Sequence, residues 1–361
     1  MLIKNEELNK GRQLEFDVAK ALAVFFMVII HVSDIMGDHS VGSDSAYNLF
    51  LQFIGAPMAA PMFMFAMGVG MVYTRHDSSA DFARRGLKLI IMGYALNFFR
   101  ETLLIIISNM LSLETDYKKP LIDTIGTIDI LQFAGMTFLI VSLMKKLRTN
   151  KWMLLGVAIL LQAIGTVCIG LFDSAPKIVQ YLFGLLFYTN QYISFPTALW
   201  LVYPVLGICF ASILRRVADK QTFYKTLLMI SVVCLVGISV GTITLGYDIK
   251  RFFVSVYYYQ QNFFSTLWIT CILGISISAY YFISKIVQGR TQNIVKYISS
   301  NLNTIYIIQW LLITYSVAIK EMVGLGGLPA GLTIPVGIVV VLCSIGITWL
   351  WNRLKARRIS L

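Results

Sequence analysis

Charge is what this sequence has least of. Only 13% of its 361 residues are Asp, Glu, Lys or Arg, 57% are hydrophobic, and the mean hydropathy is +0.74. That balance lies far from soluble domains, places the chain with multi-span membrane proteins and leaves no stretch for a soluble catalytic domain. Acids are scarcer still, 18 against 30 Lys and Arg, which sets a net charge of +12. Membrane topology and attraction to anionic lipid account for this excess, so no nucleic acid partner is expected. Histidine is limited to His31, His39 and His76. The five cysteines, Cys168, Cys209, Cys234, Cys271 and Cys343, fall inside apolar runs without metal-site spacing, so they read as packing residues and no metal is expected. GxSxG, HExxH, the P-loop and the Gly-rich dinucleotide pattern are all missing, which removes the working parts of serine hydrolases, zinc proteases and nucleotide-driven machines. With no internal repeat, low-complexity segment or linker, residues 1–361 read as a single domain.

What is present is a series of apolar runs near 18–36, 48–74, 88–108, 125–144, 152–172, 193–214, 224–246, 262–286, 298–319 and 333–352. Runs of roughly 20 residues span a bilayer as helices, because no other open structure satisfies its own backbone in lipid. The expected fold is therefore all-α, a polytopic membrane protein of about ten transmembrane helices. The polar tail KNEELNK and the charges in the first run mark a retained helix rather than a cleaved leader. Most Lys and Arg cluster in the two tails and in alternate loops, around Arg75 to Lys88, Lys145 to Lys151, Arg215 to Lys225 and Lys285 to Lys296. Retention of basic residues inside then puts both termini in the cytoplasm. Two longer connections, 109–124 and 173–192, lie outside in this topology; the second carries an apolar, aromatic stretch too short to span.

The first run, DVAKALAVFFMVIIHVSDIM, holds Asp17, Lys20, His31 and Asp34 although ionisable groups are costly in a bilayer. On a helix Lys20 and His31 differ by about 20° around the axis and about 16 Å along it, so they share a face that Asp17 and Asp34 extend. In the third run, GYALNFFRE puts Gly93, Asn97, Arg100, Glu101 and Leu104 on one face, with Arg100 about 18 Å from the helix start at Lys88. An Arg at that depth has to meet an acid, carbonyl groups or water. Asp129 and Gln132 of TIDILQF, Gln309 of YIIQWLL and Trp200 after Pro196 all fall in the outer half. The sequence thus predicts a polar chamber toward the outside, with His31, Arg100, Asp129 and Gln309 at one level. Each group also has a purely structural use: Lys20 snorkelling, His31 bonded to a carbonyl, Arg100 fastening helices through Glu101 or Asp129. A chamber histidine near neutrality can take a proton from an attacking hydroxyl or amine while a carboxylate holds its tautomer. His31 and, in the first outside loop GDHSVGSD, His39 are both candidate bases; His76, in YTRHDSSADF, reads as cytoplasmic and solvated.

These residues carry a resemblance. RQLEFDVAKALAVFFMVIIH resembles the first-helix signature of integral-membrane acyltransferases, the acyltransferase family 3 and heparan-alpha-glucosaminide N-acetyltransferase-like proteins, in which a basic residue is followed after ten positions by His. APMFMFAMGVGMVYTR with FARRGLKLI, then TIDILQFAGMTFLIV, then SFPTALWLVYPVLGICFAS follow in the same order. The last is similar to the FPxxxW…G pattern of the heparan-acetyltransferase-like branch, and SSNLNTIYIIQWLLI resembles a late helix of the acyltransferase 3 branch. The set covers most of the chain.

The resemblance implies a bacterial cytoplasmic-membrane enzyme that moves an acyl group, typically acetyl, from cytosolic acyl-CoA to a hydroxyl or amine of a glycan or glycolipid across the bilayer. By motif match His31 is the expected catalytic residue and Lys20 takes the place of the usual Arg without its bidentate fork; Arg100 and Asp129, at its level in the chamber, are catalytic candidates from their position. Arg84, Arg85 and Lys88 match the region associated with CoA binding, in keeping with the phosphates of acetyl-CoA; simple positive-inside anchoring is their plainer use. Asp34, Asn97, Glu101, Gln132, Trp200 and Gln309 are the expected acceptor contacts. Gln309 stands where many relatives have His, and in the heparan-acetyltransferase-like branch the important His lies nearer His39, so the choice of base depends on the branch. Lipid and a second copy of the chain are candidate partners. The competing reading is a transporter or exporter of a glycan or small polar solute, since buried charges also line solute paths.

Overall fold

A computed structural model describes residues 2–38, 42, 44–110, 120–254 and 256–359. His39, Lys118 and Lys119 lie outside the described residues. Helix α1 (Leu14–Met36) is followed by α2 (Ala46–Gly55) and α3 (Ala60–Tyr73), then by α4 (Ser79–Asn97) and α5 (Leu103–Met110). Next come α6 (Leu121–Gly126), α7 (Ile130–Lys146), α8 (Lys151–Val167), α9 (Lys177–Gly184), α10 (Thr197–Trp200) and α11 (Val202–Leu214). The chain closes with α12 (Lys220–Thr244), α13 (Val256–Tyr259), α14 (Phe263–Ile286), α15 (Gly289–Ser300), α16 (Leu302–Met322) and α17 (Ala330–Ile359).

Among the described residues, eight segments are long and apolar enough to cross a bilayer: α1, α2 with α3, α4 with α5, α10 with α11, α12, α14, α16 and α17. The other two expected spans correspond to α7 and α8, each 17 residues long. Most of the membrane-length surface of α12 faces outward, with Met229, Val233, Val236 and Val240 exposed, as suits contact with hydrocarbon. The same outward position explains a departure from the expected role of the cysteines. Cys209 and Cys271 are buried, but Cys168 is only partly so and Cys234 and Cys343 are exposed on α12 and α17, where an apolar solvent removes the pressure to bury a thiol.

At the centre, α1 packs against α2, α3, α14, α15, α16 and α17. Close packing of α3 on α11 is made by glycine: a Cβ on Gly68 would collide with the Pro204 carbonyl, and one on Gly207 with the Phe65 carbonyl. Backbones that touch in this way gain dispersion contact without a hydrophobic driving force, the usual basis of helix association in lipid.

Two helices depart from regularity where the sequence reads as one continuous run. Between α2 and α3 the chain leaves helical geometry at Ala56 (φ −88°, ψ −82°), next to Pro57, which has no N–H to donate. The Ala56 carbonyl accepts from the Tyr258 hydroxyl at 3.0 Å, so the interruption leaves that group satisfied. In the run of α4 and α5, residues Phe98–Thr102 form a π-helical turn, which turns Arg100, Glu101 and Thr102 inward together while Phe98 and Phe99 stay exposed. Regular α-helical spacing puts Leu104 on the face of Arg100; with the extra residue in the turn, Ile105 is the buried one. The aromatic connection 173–192 forms α9, which packs against α6 rather than spanning. Lys177 lies 3.1 Å from Asp123, and the Tyr181 hydroxyl donates to the same carboxylate at 2.5 Å.

Candidate functional site

The polar residues of α1 divide between two cavities and an anchor. Asp17 is the anchor: Arg12 donates to its carboxylate at 2.6 and 2.9 Å, and the Ser299 hydroxyl donates at 2.6 Å. Those bonds hold the Arg12 guanidinium above its ordinary range. Asp17 therefore joins α1 to α15 and does not extend the polar face into a cavity.

Lys20, Arg84, Arg85 and Lys88 line one cavity of about 770 Å³ at the basic end of the bundle, together with Thr74 and Asn303. Four cations from α1 and α4 thus surround one space, although their sequence separation alone is compatible with scattered surface anchoring. His31, Asp34 and Asp129 line a second cavity of about 570 Å³ nearer the other end of α1. The two share three helices. Met27 of α1, Ala60 of α3 and Ile130 of α7 face the second cavity; Lys20, Phe63 and Leu131, on the same helices, face the first.

Around His31 the side chains form a stack. Its ring lies 4.2 Å from that of Trp310 at 32°, and the Arg100 guanidinium sits 4.4 Å from the Trp310 ring. His31 Nδ1 is 3.4 Å from Gln309 Oε1. With Nδ1–H as the donor to that oxygen, Nε2 keeps its lone pair. Arg100 donates through an Nη to Asp129 at 3.0 Å, and Tyr306 donates to the same carboxylate oxygen at 2.8 Å. Glu101 Oε1 lies 3.4 Å from Arg100 Nε without hydrogen-bond geometry, so charge rather than a directed bond links them. Nε2 of Gln309 and Nε1 of Trp310 are buried without a hydrogen-bond partner.

Asp129 owes its position to local rules. It caps α7, accepting from the Ile130 N–H at 2.7 Å, while Gln132 Oε1 accepts from the Asp129 N–H at 3.2 Å in a capping box. Asn97 braces the turn before it, donating to the Ile125 and Thr127 carbonyls at 3.0 and 2.6 Å. Asn97 and Gln132 are thus buried supports of Asp129 and line neither cavity. Trp200 is also behind the wall: it is fully buried, packs edge-on against Phe195 and Tyr258, and donates to the Tyr259 carbonyl at 3.2 Å. Gln309 and Glu101 meet the site through His31 and Arg100. His76 is exposed.

The sequence reading missed the aromatic wall of the second cavity, Phe195, Tyr258 and Tyr259, and its amide pair, Asn48 and Gln52. Burial, and after it the charges of Asp34 and Asp129, push the Tyr259 phenol above its ordinary range. The ring is nevertheless 36% exposed; dense surroundings and an accessible face coexist because it lines the cavity. YYYQQN between two apolar runs, and Tyr306, Gln309 and Trp310 at helical spacing, are the signals that point to these residues. Among the described residues no group of three or more His, Cys, Asp or Glu is placed to hold a metal ion.

A polar, histidine-bearing cavity and a cationic cavity thus lie on the same helices of a bundle with membrane-length apolar segments. The family model for acyltransferase family 3, described as an acyltransferase domain, matches residues 13–351. The chain belongs to that family and is a membrane acyltransferase. Among curated proteins none matches it.

Proposed function

We propose that the protein moves an acyl group, typically acetyl, from acyl-CoA held at the cytoplasmic, basic end to a hydroxyl or amine of a glycan or glycolipid in the cavity at His31. The observation that carries this reading is the pairing of the two cavities along α1, one lined by Lys20, Arg84, Arg85 and Lys88, the other by His31 and Asp129. Phosphate groups favour the first, because Lys and Arg bind them through charge-assisted bonds. About 16 Å of helix separates Lys20 from His31, which suits a donor whose charged head and reactive thioester lie at opposite ends of a long arm.

In this reading His31 Nε2 takes the proton of the acceptor hydroxyl or amine as its oxygen or nitrogen bonds to the thioester carbon. Collapse of the tetrahedral intermediate breaks the carbon–sulfur bond, and the proton passes from His31 to the departing thiolate. One ester or amide and one CoA thiol result. Gln309 holds the imidazole tautomer, while Trp310, braced by Arg100 and Asp129, fixes the ring plane. The family match spans the first helix, and the resemblance of that helix to the acyltransferase signature with a basic residue and a His is what favours His31 as the base. It also favours transfer over the solute-carrier alternative.

Membranes bearing the protein, given labelled acetyl-CoA and a glycan extract, test this. Protein-dependent labelling of the acceptor and release of free thiol are expected, with loss of both in His31→Ala at normal expression. Lys20→Met is expected to raise KM for acetyl-CoA about tenfold with little change in kcat, as loss of a charge-assisted phosphate contact does. Unchanged transfer in His31→Ala removes that residue from the mechanism, and solute flux without thiol release refutes the reading.

A further inference from the structure

The cavity at His31 is lined by two unlike sets of side chains. Asp34, one turn beyond His31 on α1, contributes a carboxylate whose hydrogen-bond contact is Gln52 Nε2 at 3.4 Å. Among the described residues no cation pairs with it. The other acid of the cavity, Asp129, is already matched by Arg100. Lys250, on the loop that leads to Tyr258 and Tyr259, is engaged by Asp44 at 3.0 Å. The same cavity is lined by the aromatic side chains, among which Tyr259 is the accessible one. That ring is fixed: Trp200 holds its carbonyl, and Phe195 and Tyr258 meet it edge-on at 5.8 and 5.2 Å.

A rigid aromatic face in one cavity with a carboxylate and amides is suited to a saturated ring that has an apolar C–H face and hydroxyl edges. An acidic substituent on that ring would meet the Asp34 carboxylate, which is exposed to the cavity and has the Gln52 amide as its hydrogen-bond contact, and would be repelled by it. We propose that Tyr259 and Asp34 set acceptor specificity: Tyr259 is the platform for an uncharged, hydroxyl-bearing ring, and Asp34 accepts from its hydroxyls and turns away anionic rings. This rests on the acyl-acceptor reading of the cavity and names the class of acceptor it takes.

Octyl β-D-glucopyranoside and octyl β-D-glucuronide share a ring and a tail and differ by one carboxylate. Binding of each to the protein in nanodiscs is measured by saturation-transfer NMR, with no need for turnover, and CoA release is measured in parallel. The glucoside is expected to bind at least about tenfold more tightly than the glucuronide, the scale of one charge–charge repulsion at a few ångströms in a partly screened site. Asp34→Asn is expected to reduce that ratio to near one. Tyr259→Leu is expected to weaken glucoside binding about tenfold, with Tyr259→Phe restoring it, since the ring face and not the hydroxyl is the platform. Equal binding of the two glycosides, an unchanged ratio in Asp34→Asn, or no binding of either overturns the inference. If selectivity is seen in binding but thiol release fails with every acceptor, the specificity stands and the transfer reading falls; transfer lost in His31→Ala without selectivity has the opposite meaning.

Discussion

Replacing Asp129 with Asn tests the interior of this site most directly, because one carboxylate holds three elements together. It receives Arg100 from the π-helical turn at 3.0 Å and Tyr306 from α16 at 2.8 Å, and it caps α7 through the Ile130 N–H at 2.7 Å. Arg100 is 3% exposed, so its charge cannot turn to water when its partner is lost. Removing one member of a buried pair costs about 3–5 kcal/mol, mainly as the penalty of the charge left behind. Glu101, 3.4 Å away, offsets part of that penalty, and Asn, with its one oxygen in place of Oδ1, retains the cap while its NH2 replaces the oxygen that accepts from Arg100 and Tyr306. The expected loss for Asp129→Asn is therefore near the lower end, about 3 kcal/mol. Arg100→Met removes the charge that would be stranded, so Arg100→Met with Asp129→Asn should be less destabilised than the two single losses added together, by about 2 kcal/mol. Equilibrium unfolding of the purified variants in mixed micelles gives each value and the coupling between them. A loss below about 1 kcal/mol for Asp129→Asn, or additive effects in the double variant, would show that the pair is not an isolated buried contact and would refute the reasoning.

Two further outcomes follow from the packing. Trp310→Leu removes the ring between His31 and Arg100 and should lower kcat roughly tenfold, with Trp310→Phe recovering most of it; equal activity of all three, measured as thiol release, would deny the stack a positioning role. Gly68→Ala places a Cβ against the Pro204 carbonyl, backbone that has no side-chain freedom to yield, and should cost about 3 kcal/mol or more, seen as loss of folded protein in detergent by size-exclusion chromatography. Gly156→Ala on α8, where a Cβ meets nothing within 4 Å, is the matched control and should fold normally.

Much of this protein is legible in one dimension because a bilayer imposes a one-dimensional rule: a span is an apolar run of a certain length, and a charge within it is costly enough to mark itself. For that reason Lys20, His31, Arg100 and Asp129 stand out in the sequence, as does the helical class of the fold. Pairing is less visible. That Arg100 meets Asp129 could be guessed from charge and depth, but Asn97, Gln132 and Trp200 carry the same polar or aromatic signal and act behind the site, as supports. Their side chains bond to backbone groups whose location depends on how loops turn.

Other features existed only once the helices were assembled. The π-helical turn shifts which residue lies beneath Arg100, the interruption beside Pro57 leaves Gly55 and Ala56 lining the cavity of His31, and the Phe195, Tyr258 and Tyr259 wall comes from segments far apart in the chain. Composition and periodicity determine which residues leave water and which charges remain buried. Whether two such residues share a cavity, bond to one another or merely support a neighbour depends on contacts between distant segments, and close packing in three dimensions decides those.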